Sequence, residues 1–367
     1  STITTHFDYH SISSRLVKLD ILGHDDPTVI RMLQDISGIS PHSIPFDDPQ
    51  TMSLFSSTTA LNLTPEALGS TVGTFGIPEF GTKFVRQMLE DTKPQTFSEL
   101  VRISGFSHGT DVWLNNAQDL IKNGTAKLSE AISARDDIMV YLIHKGVDSQ
   151  LAFKVMEGVR KGKGIKQDDV EKLQEKHVPS WYIASCQKIK YMFPKAHAVA
   201  YVMMAVRIAW FKVHNPLAFY ASYFSVRATD FDAQQIVKGL SAQKAKLHEM
   251  EQKGNALTAK EKSIQTIIEM AFEMYLRGFT FHKVDLYSSD AAKFQIVGNG
   301  LLPPLASLQG LGDAAAHNIV QARAERRFLS IEDLRSRARV SRAVIDILKE
   351  HGCLDDLPED DQVLLFA

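Results

Sequence analysis

Four stretches of this sequence carry side chains whose types and spacing suit chemistry on phosphates, and a fifth suits docking to a partner. In residues 13–27, SSRLVKLDILGHDDP, Asp20 sits among Leu16, Val17, Leu19, Ile21 and Leu22. A carboxylate inside an apolar run is costly to bury unless a cation or hydrogen bonds meet it. Two readings stay open: Asp20 faces solvent from the polar side of a half-buried strand, or it meets a metal ion or other cation. Lys18, two residues earlier, shares its strand face. Asp25 and Asp26 read as helix-entry residues, because Asp26 can cap and Pro27 suits the first helical position.

The second stretch is YMFPKAHAVAY, residues 191–201. A helix starting near Ala196 puts His197 and Tyr201 four residues apart on one face, close to the positive end of the dipole, with Lys195 beside them. A cation, an imidazole and an aromatic ring there suit a triphosphate and a stacked base. Core packing with Lys195 at the surface is the alternative. The third stretch, residues 152–195, has ten Lys or Arg against five Asp or Glu. Within it Arg160, Lys161 and Lys163 form a flexible cationic RKGKG segment that suits a phosphate backbone; a solvated basic loop is the alternative.

The fourth stretch is SLQGLGDAAA, residues 307–316. Gly310 and Gly312 permit a tight turn with positive φ and let backbone N–H groups point at a phosphate from a helix N-terminus. That is the pattern of a helix-hairpin-helix, which grips duplex DNA by its backbone without reading sequence. An ordinary helix–helix turn is the alternative. The fifth is the tail, DQVLLFA, in which Gln362, Leu364, Leu365 and Phe366 form a peptide able to dock in an apolar groove.

The elements positioning these residues read as mostly helical. Residues 1–28 are expected as strand, turn, strand. Helical spacing follows at 29–37, 64–68, 83–89, 96–103, 117–120, 134–145, 149–161, 168–176, 181–192 and, most apolar, 199–213. Residues 104–110, with two glycines and His108, are expected as a loop. Residues 231–277 are helical around a charged turn at 251–261. Residues 279–300 form a small strand region, and 310–351 return to short helices.

At 367 residues, 44% hydrophobic and 23% charged, the chain can bury a sizeable core in two or three domains. A net charge of −2 excludes a protein that coats nucleic acid by overall charge, so any DNA contact comes from local patches. Two distant cysteines, Cys186 and Cys353, make neither a disulfide framework nor a zinc cluster and fit a cytoplasmic protein. No apolar run reaches a membrane span; the nearest, 199–210, is interrupted by Arg207. The opening, STITTHFDYH, has no signal-peptide core and no Met, and is read as part of a longer polypeptide.

Taken together these stretches resemble bacterial replicative DNA polymerases of family C, and within them the PolC type, over essentially the whole chain. VKLDILG (17–23) looks like the late palm strand carrying the family's third catalytic aspartate. GIPEFGTKFVRQML (76–89), SGFSHGTDVW (104–113), RDDIMVYLI (135–143), VRKGKG (159–164) and YMFPKAHAVAY (191–201) resemble its fingers. The Gly310–Gly312 turn resembles its helix-hairpin-helix. QVLLF (362–366) is similar to its sliding-clamp peptide, with Val363 in place of the usual Leu.

The resemblance implies a mainly α chain with a small α/β palm remnant at 1–28. It places fingers at 29–230, a helical extension with a small strand region at 231–300, a helix-hairpin-helix region at 301–356 and a clamp-binding tail at 357–367. It implies transfer of a deoxynucleotide to a primer 3′ end by a two-metal reaction. Asp20 would hold Mg²⁺ with Lys18 beside it, and two Mg²⁺ would be completed by aspartates outside this chain. Arg135, Lys195, His197, Tyr201, His108 and Lys83 become candidates for the incoming triphosphate. Arg160, Lys161, Lys163, Gly310 and Gly312 become candidates for the DNA backbone. The implied partners are primer-template DNA, deoxynucleoside triphosphates, a sliding clamp and the rest of the polypeptide, with no membrane. With one carboxylate of three, the segment alone is expected to be inactive. The rival reading is a non-catalytic DNA- and clamp-binding module.

Overall fold

The computed structural model describes residues 3–4, 6–12, 15–17 and 25–360. Lys18, Asp20 and the tail residues Gln362, Leu364, Leu365 and Phe366 lie outside the described residues. In chain order the longer helices are α1 (Asp26–Ser37), α2 (Lys83–Thr92), α3 (Phe97–His108), α4 (Arg135–His144), α5 (Ser149–Arg160) and α6 (Gln167–Glu175). They continue with α7 (Ser180–Lys188), α8 (Lys195–His214), α9 (Pro216–Ser225), α10 (Leu240–Lys253) and α11 (Ala259–Leu276). After the sheet come α12 (Asp313–Glu325), α13 (Ile331–Arg337) and α14 (Arg342–Glu350).

The starts of these helices follow from local chemistry. Thr96 and Glu99 form a reciprocal capping box at α3, with Glu99 N–H donating to Thr96 Oγ1 at 3.3 Å and Thr96 N–H to Glu99 Oε2 at 3.1 Å. Asp148 caps α5 by accepting from the N–H groups of Gln150 and Leu151. Thr258 and Glu261 form a second capping box at α11. At α1 the expectation is corrected by one position. The helix begins at Asp26, with Asp25 as the flanking residue making no side-chain cap, and Asp26 itself is buried.

Two further expectations change. Tyr9–Ile12 is a single helical turn where a strand was expected. Residues 104–108 continue α3 in place of a loop, so His108 occupies the last turn of a helix. Gly105 explains the second change: a Cβ there would lie 2.7 Å from the Ser133 carbonyl oxygen, so the glycine reports close helix–backbone packing and not a loop.

The core is centred on α8, which packs on α1, α3 and α9 and buries Val202, Ala205, Val206, Ile208, Ala209 and Phe211. By length and composition alone α8 would also span a membrane, although no such run was expected. Its burial along the core-facing side is that of a central helix in a folded domain. Near its end Lys212 is fully buried in an ion pair with Glu273 of α11 at 2.9 Å.

Three short strands lie in the order β1 (Thr280–Phe281), β3 (Gly300–Leu302), β2 (Gln295–Val297), with β1 parallel and β2 antiparallel to β3. Central β3 is buried throughout while β2 is exposed, as an edge strand requires. Phe281 and Phe294 pack with Phe224 and Phe231, joining this sheet to α9.

Candidate nucleotide-binding site

The site assembles where the segment before α8 crosses α3 and the start of α4. Thr110 pairs with Tyr191 and Ala134 with Phe193 through single β-bridges, so two chain segments flank residues 191–193. Arg135 N–H donates to the Phe193 carbonyl at 3.3 Å. Pro194 ends that segment, and α8 begins at Lys195, one residue before the expected start. Asp136 Oδ2 accepts from Lys195 N–H at 2.9 Å, so the first turn of α8 is capped by a carboxylate from α4.

Asp137 lies at the centre of the polar network. One oxygen accepts from Ser133 N–H, Ser133 Oγ and Ala134 N–H at 3.2, 2.6 and 3.0 Å, and from Arg102 Nη1 at 3.4 Å. The other accepts from Lys195 Nζ at 3.1 Å. Burial would raise its pKa, but Arg102, the Ser133 and Ala134 donors and Lys195 hold it below the ordinary carboxylate value. Lys195 is therefore paired, yet its side chain stays 44% exposed. Its ammonium is a cation oriented by Asp137 at the mouth of the site.

Asp137→Ala is expected to lower stability by about 2–3 kcal/mol, because it strands Arg102, two buried N–H groups and a hydroxyl. Since the folded pKa is depressed, the wild-type contribution is complete above the ordinary carboxylate range. It is lost as pH falls below about 4 through the folded value. Urea denaturation of wild type and variant at neutral and acid pH measures both; equal stabilities at neutral pH would refute the network's importance.

An aromatic stack stands beside these charges. The His108 ring lies 4.6 Å from Phe193 at 21° and 6.4 Å from Tyr201 at 7°, and Phe193 meets His197 edge-on at 5.9 Å. His197 and Tyr201 share one face of α8; His197 is exposed and Tyr201 half-buried. His108 Nε2 is 2.9 Å from Glu79 Oε2, and Nδ1 is 2.8 Å from the Ser104 carbonyl. The Glu79 carboxylate raises the His108 pKa, against the opposite effect of burial.

The sequence-expected residues are thus only partly brought together. Lys195, His197, Tyr201 and His108 form one cluster, with Arg135 anchored beside it by its backbone. Lys83 is exposed on a neighbouring cleft of about 810 Å³ that also contains Glu79, Arg86, Arg227 and Glu269. There Arg86 lies over Phe75 at 4.1 Å and Arg227 over Tyr223 at 4.0 Å. Glu79, Arg102, Asp137 and Phe193 were missed as site residues. Glu79 meets His108 across 29 positions, Arg102 meets Asp137 across 35, Asp137 meets Lys195 across 58 and Phe193 meets His108 across 85, so no local pattern announces these pairings.

The basic segment departs from the flexible loop expected. Glu157 binds Arg160 through two hydrogen bonds of 2.8 Å and Lys161 at 3.0 Å, and these contacts lower its pKa to about 2. Gln187 joins the segment to α7 by accepting from Ile165 N–H at 3.1 Å and donating to the Ile165 carbonyl at 2.9 Å. At Gly162, φ is +69° and a Cβ would lie 2.6 Å from the Lys190 carbonyl oxygen, so the glycine permits close packing and not motion. Lys163 is exposed and has no ion pair among the described residues.

In the C-terminal region Gly310 and Gly312 have φ of +89° and +78°, and Gly312 immediately precedes α12. Leu311 between them is buried, which anchors the turn while its glycine backbone faces outward.

Two protein families and a group of curated proteins match this chain. Residues 26–180 match the family described as the bacterial DNA polymerase III alpha subunit finger domain, and residues 278–364 match the helix-hairpin-helix motif family. DNA polymerase III PolC-type of Caldanaerobacter subterraneus subsp. tengcongensis is 63% identical over 364 residues, 99% of this chain and 26% of that protein. The proteins of the same description from Halalkalibacterium halodurans and Bacillus subtilis are 61% and 60% identical over 363 residues, 99% of this chain and 25% of each relative. The chain spans about a quarter of the length of the curated relatives it matches. With its helical fingers and helix-hairpin-helix region, the chain belongs to the family of PolC-type DNA polymerase III.

Proposed function

We propose that this chain supplies the nucleotide-binding fingers and the duplex-binding hairpin of a replicative DNA-directed DNA polymerase. The observation that carries the reading is the juxtaposition of Lys195 with the ring stack of His108, Phe193, His197 and Tyr201. An oriented ammonium and an Arg135 guanidinium that has no ion pair among the described residues suit the charges of a triphosphate. The rings offer a face for the base or sugar of the same nucleotide. Lys83, across the Glu79 turn, belongs to the neighbouring cleft in this reading.

The reaction needs divalent ions, which we assign to Asp20 and to aspartates outside this chain, with Lys18 nearby. Among the described residues no group of three or more His, Cys, Asp or Glu side chains is placed to hold a metal ion. In this reading the described residues bind and orient the nucleotide and the duplex. Bound Mg²⁺ would supply charge stabilisation at the reacting phosphate. The proposed setting is the bacterial cytoplasm, with the QVLLF tail attaching the polymerase to a sliding clamp. The proposed domain limits are those given by the resemblance, at 28/29, 230/231, 300/301 and 356/357.

Primer extension by the full-length polymerase tests the nucleotide site. Lys195→Ala and Arg135→Ala are each expected to raise the nucleotide KM about tenfold, the loss of one charge-assisted contact to phosphate. Unchanged KM in both would remove the nucleotide-binding reading and favour the DNA- and clamp-binding module.

DNA contact is expected through the Gly310–Gly312 turn and Lys163. Because Glu157 offsets one of the two charges on Arg160 and Lys161, changing Arg160, Lys161 and Lys163 together to Gln is expected to reduce the slope of log affinity against log salt by about two. Fluorescence anisotropy with duplex DNA from low to moderate salt measures it. An unchanged slope would exclude this segment from the interface.

A further inference from the structure

Resting on the reading of residues 191–201 as a nucleotide site, we infer that Glu79 is a positioning residue for it. Its carboxylate, set by a left-handed turn, holds the His108 ring in the stack with Phe193 and Tyr201.

Glu79 has φ of +68°, in the left-handed region that a residue with a Cβ seldom adopts. Such a conformation persists where surrounding structure imposes it, and the turn is fixed at several points. Ile77 N–H donates to the Thr74 carbonyl at 3.0 Å and Thr74 Oγ1 donates to the Phe80 carbonyl at 2.7 Å. Ile77 and Phe80 are buried, with Phe80 edge-on to Phe55. Just upstream, Lys212 Nζ donates to the carbonyls of Gly73 and Phe75 at 2.8 and 2.6 Å. The left-handed residue thereby brings its carboxylate out of a clamped turn against His108 Nε2.

The opposite nitrogen, Nδ1, faces the Ser104 carbonyl. The Glu79 carboxylate beside Nε2 favours the protonated ring and raises the His108 pKa, so the imidazolium persists to higher pH than in a free histidine. The ring's titratable and charged neighbours are Glu79 from the turn and Tyr201 from α8, with His197 reached through Phe193; α3 itself contributes Ser104 and Ser107. A cationic ring stacked on Phe193 gains attraction that the neutral ring lacks. Glu79 and His108 together are neutral, so the pair does not deliver net charge to a triphosphate. Its effect is to fix the plane against which Phe193 and Tyr201 are ordered. When the ring loses its proton, both the ion pair and the cation–aromatic attraction weaken and the platform loosens.

The experiment is the nucleotide KM of the full-length polymerase from about pH 6 to pH 9, for wild type, Glu79→Gln, His108→Phe, their double variant and Lys195→Ala. Wild type is expected to keep a low KM past the ordinary histidine range and to lose affinity as pH rises through the elevated His108 value. In Glu79→Gln that loss begins at lower pH, and KM near neutral pH rises about fivefold with kcat little changed. His108→Phe keeps a stacking ring but abolishes the pH-dependent rise, and adding Glu79→Gln to it leaves the profile unchanged. Lys195→Ala raises KM at every pH without moving the inflection. A Glu79→Gln profile that superimposes on wild type while Lys195→Ala raises KM would overturn the inference and leave the site intact. If Glu79→Gln does not fold, His108→Phe decides alone: a retained pH-dependent rise overturns the proposal. If Lys195→Ala and Arg135→Ala also leave KM unchanged, the nucleotide reading itself falls.

Discussion

Lys212→Met is expected to destabilise the fold by about 3–5 kcal/mol, lowering the urea midpoint sharply. Lys212 and Glu273 are both completely buried, with their charged groups 2.9 Å apart. Glu273 also accepts from Tyr220 Oη at 2.5 Å, and Arg277 donates to Tyr220 Oη at 3.1 Å and to the Lys212 carbonyl at 2.9 Å. Burial pulls the ammonium towards neutrality and the Glu273 carboxylate opposes it. Removing the lysine leaves a buried carboxylate without its cation and two carbonyls, of Gly73 and Phe75, without their donor. That arrangement costs more than the pair itself contributes, since desolvation offsets most of the attraction between two buried charges. The double variant Lys212→Met with Glu273→Leu is therefore expected to recover much of the loss. If the single variant costs no more than the double, the ion pair is not coupled in the way the geometry implies.

Asp20→Asn in the full-length polymerase is expected to reduce primer extension about a thousandfold or more while leaving nucleotide and duplex binding near wild type. Asparagine keeps the size and hydrogen-bonding reach of aspartate and removes only its negative charge. If that charge holds a divalent ion at the reacting phosphate, its loss forfeits several kcal/mol of stabilisation as charge develops. If Asp20 is a solvated residue on the polar face of a strand, the substitution costs little and extension proceeds at the normal rate. The second outcome would remove the palm assignment of residues 1–28 and leave the chain as a DNA- and clamp-binding module. Primer extension and a separate duplex-binding measurement on one preparation distinguish the two.

Much of the helical framework was legible because its signals are local. Thr96 with Glu99, Asp148 before Ser149, and the Pro194–Lys195 junction each place a helix start within a few residues of the chain. His197 and Tyr201 share a face of α8 because four residues make about one turn. The loop expected at 104–110 failed for a physical reason. As a residue that breaks helices, Gly105 suggests a loop, whereas it marks the point where α3 presses against the Ser133 carbonyl. Likewise the RKGKG segment has the composition of a mobile basic loop, but Gln187 and Lys190 of distant sequence pack against it.

The sequence by itself determined the mainly helical class and the shared face of His197 and Tyr201, with Lys195 beside them; His108 joined them as a candidate only through the family resemblance. The helical class and the shared face depend on residue type and short-range periodicity. Only the tertiary structure decided which charges are already paired and which rings meet. It joins Asp137 to Lys195 across 58 positions, Glu79 to His108 across 29, and Glu273 to Lys212 across 61. Each carboxylate was one acidic residue among many in the linear chain. Its role arises from burial beside a particular cation, and burial is set by how the helices pack.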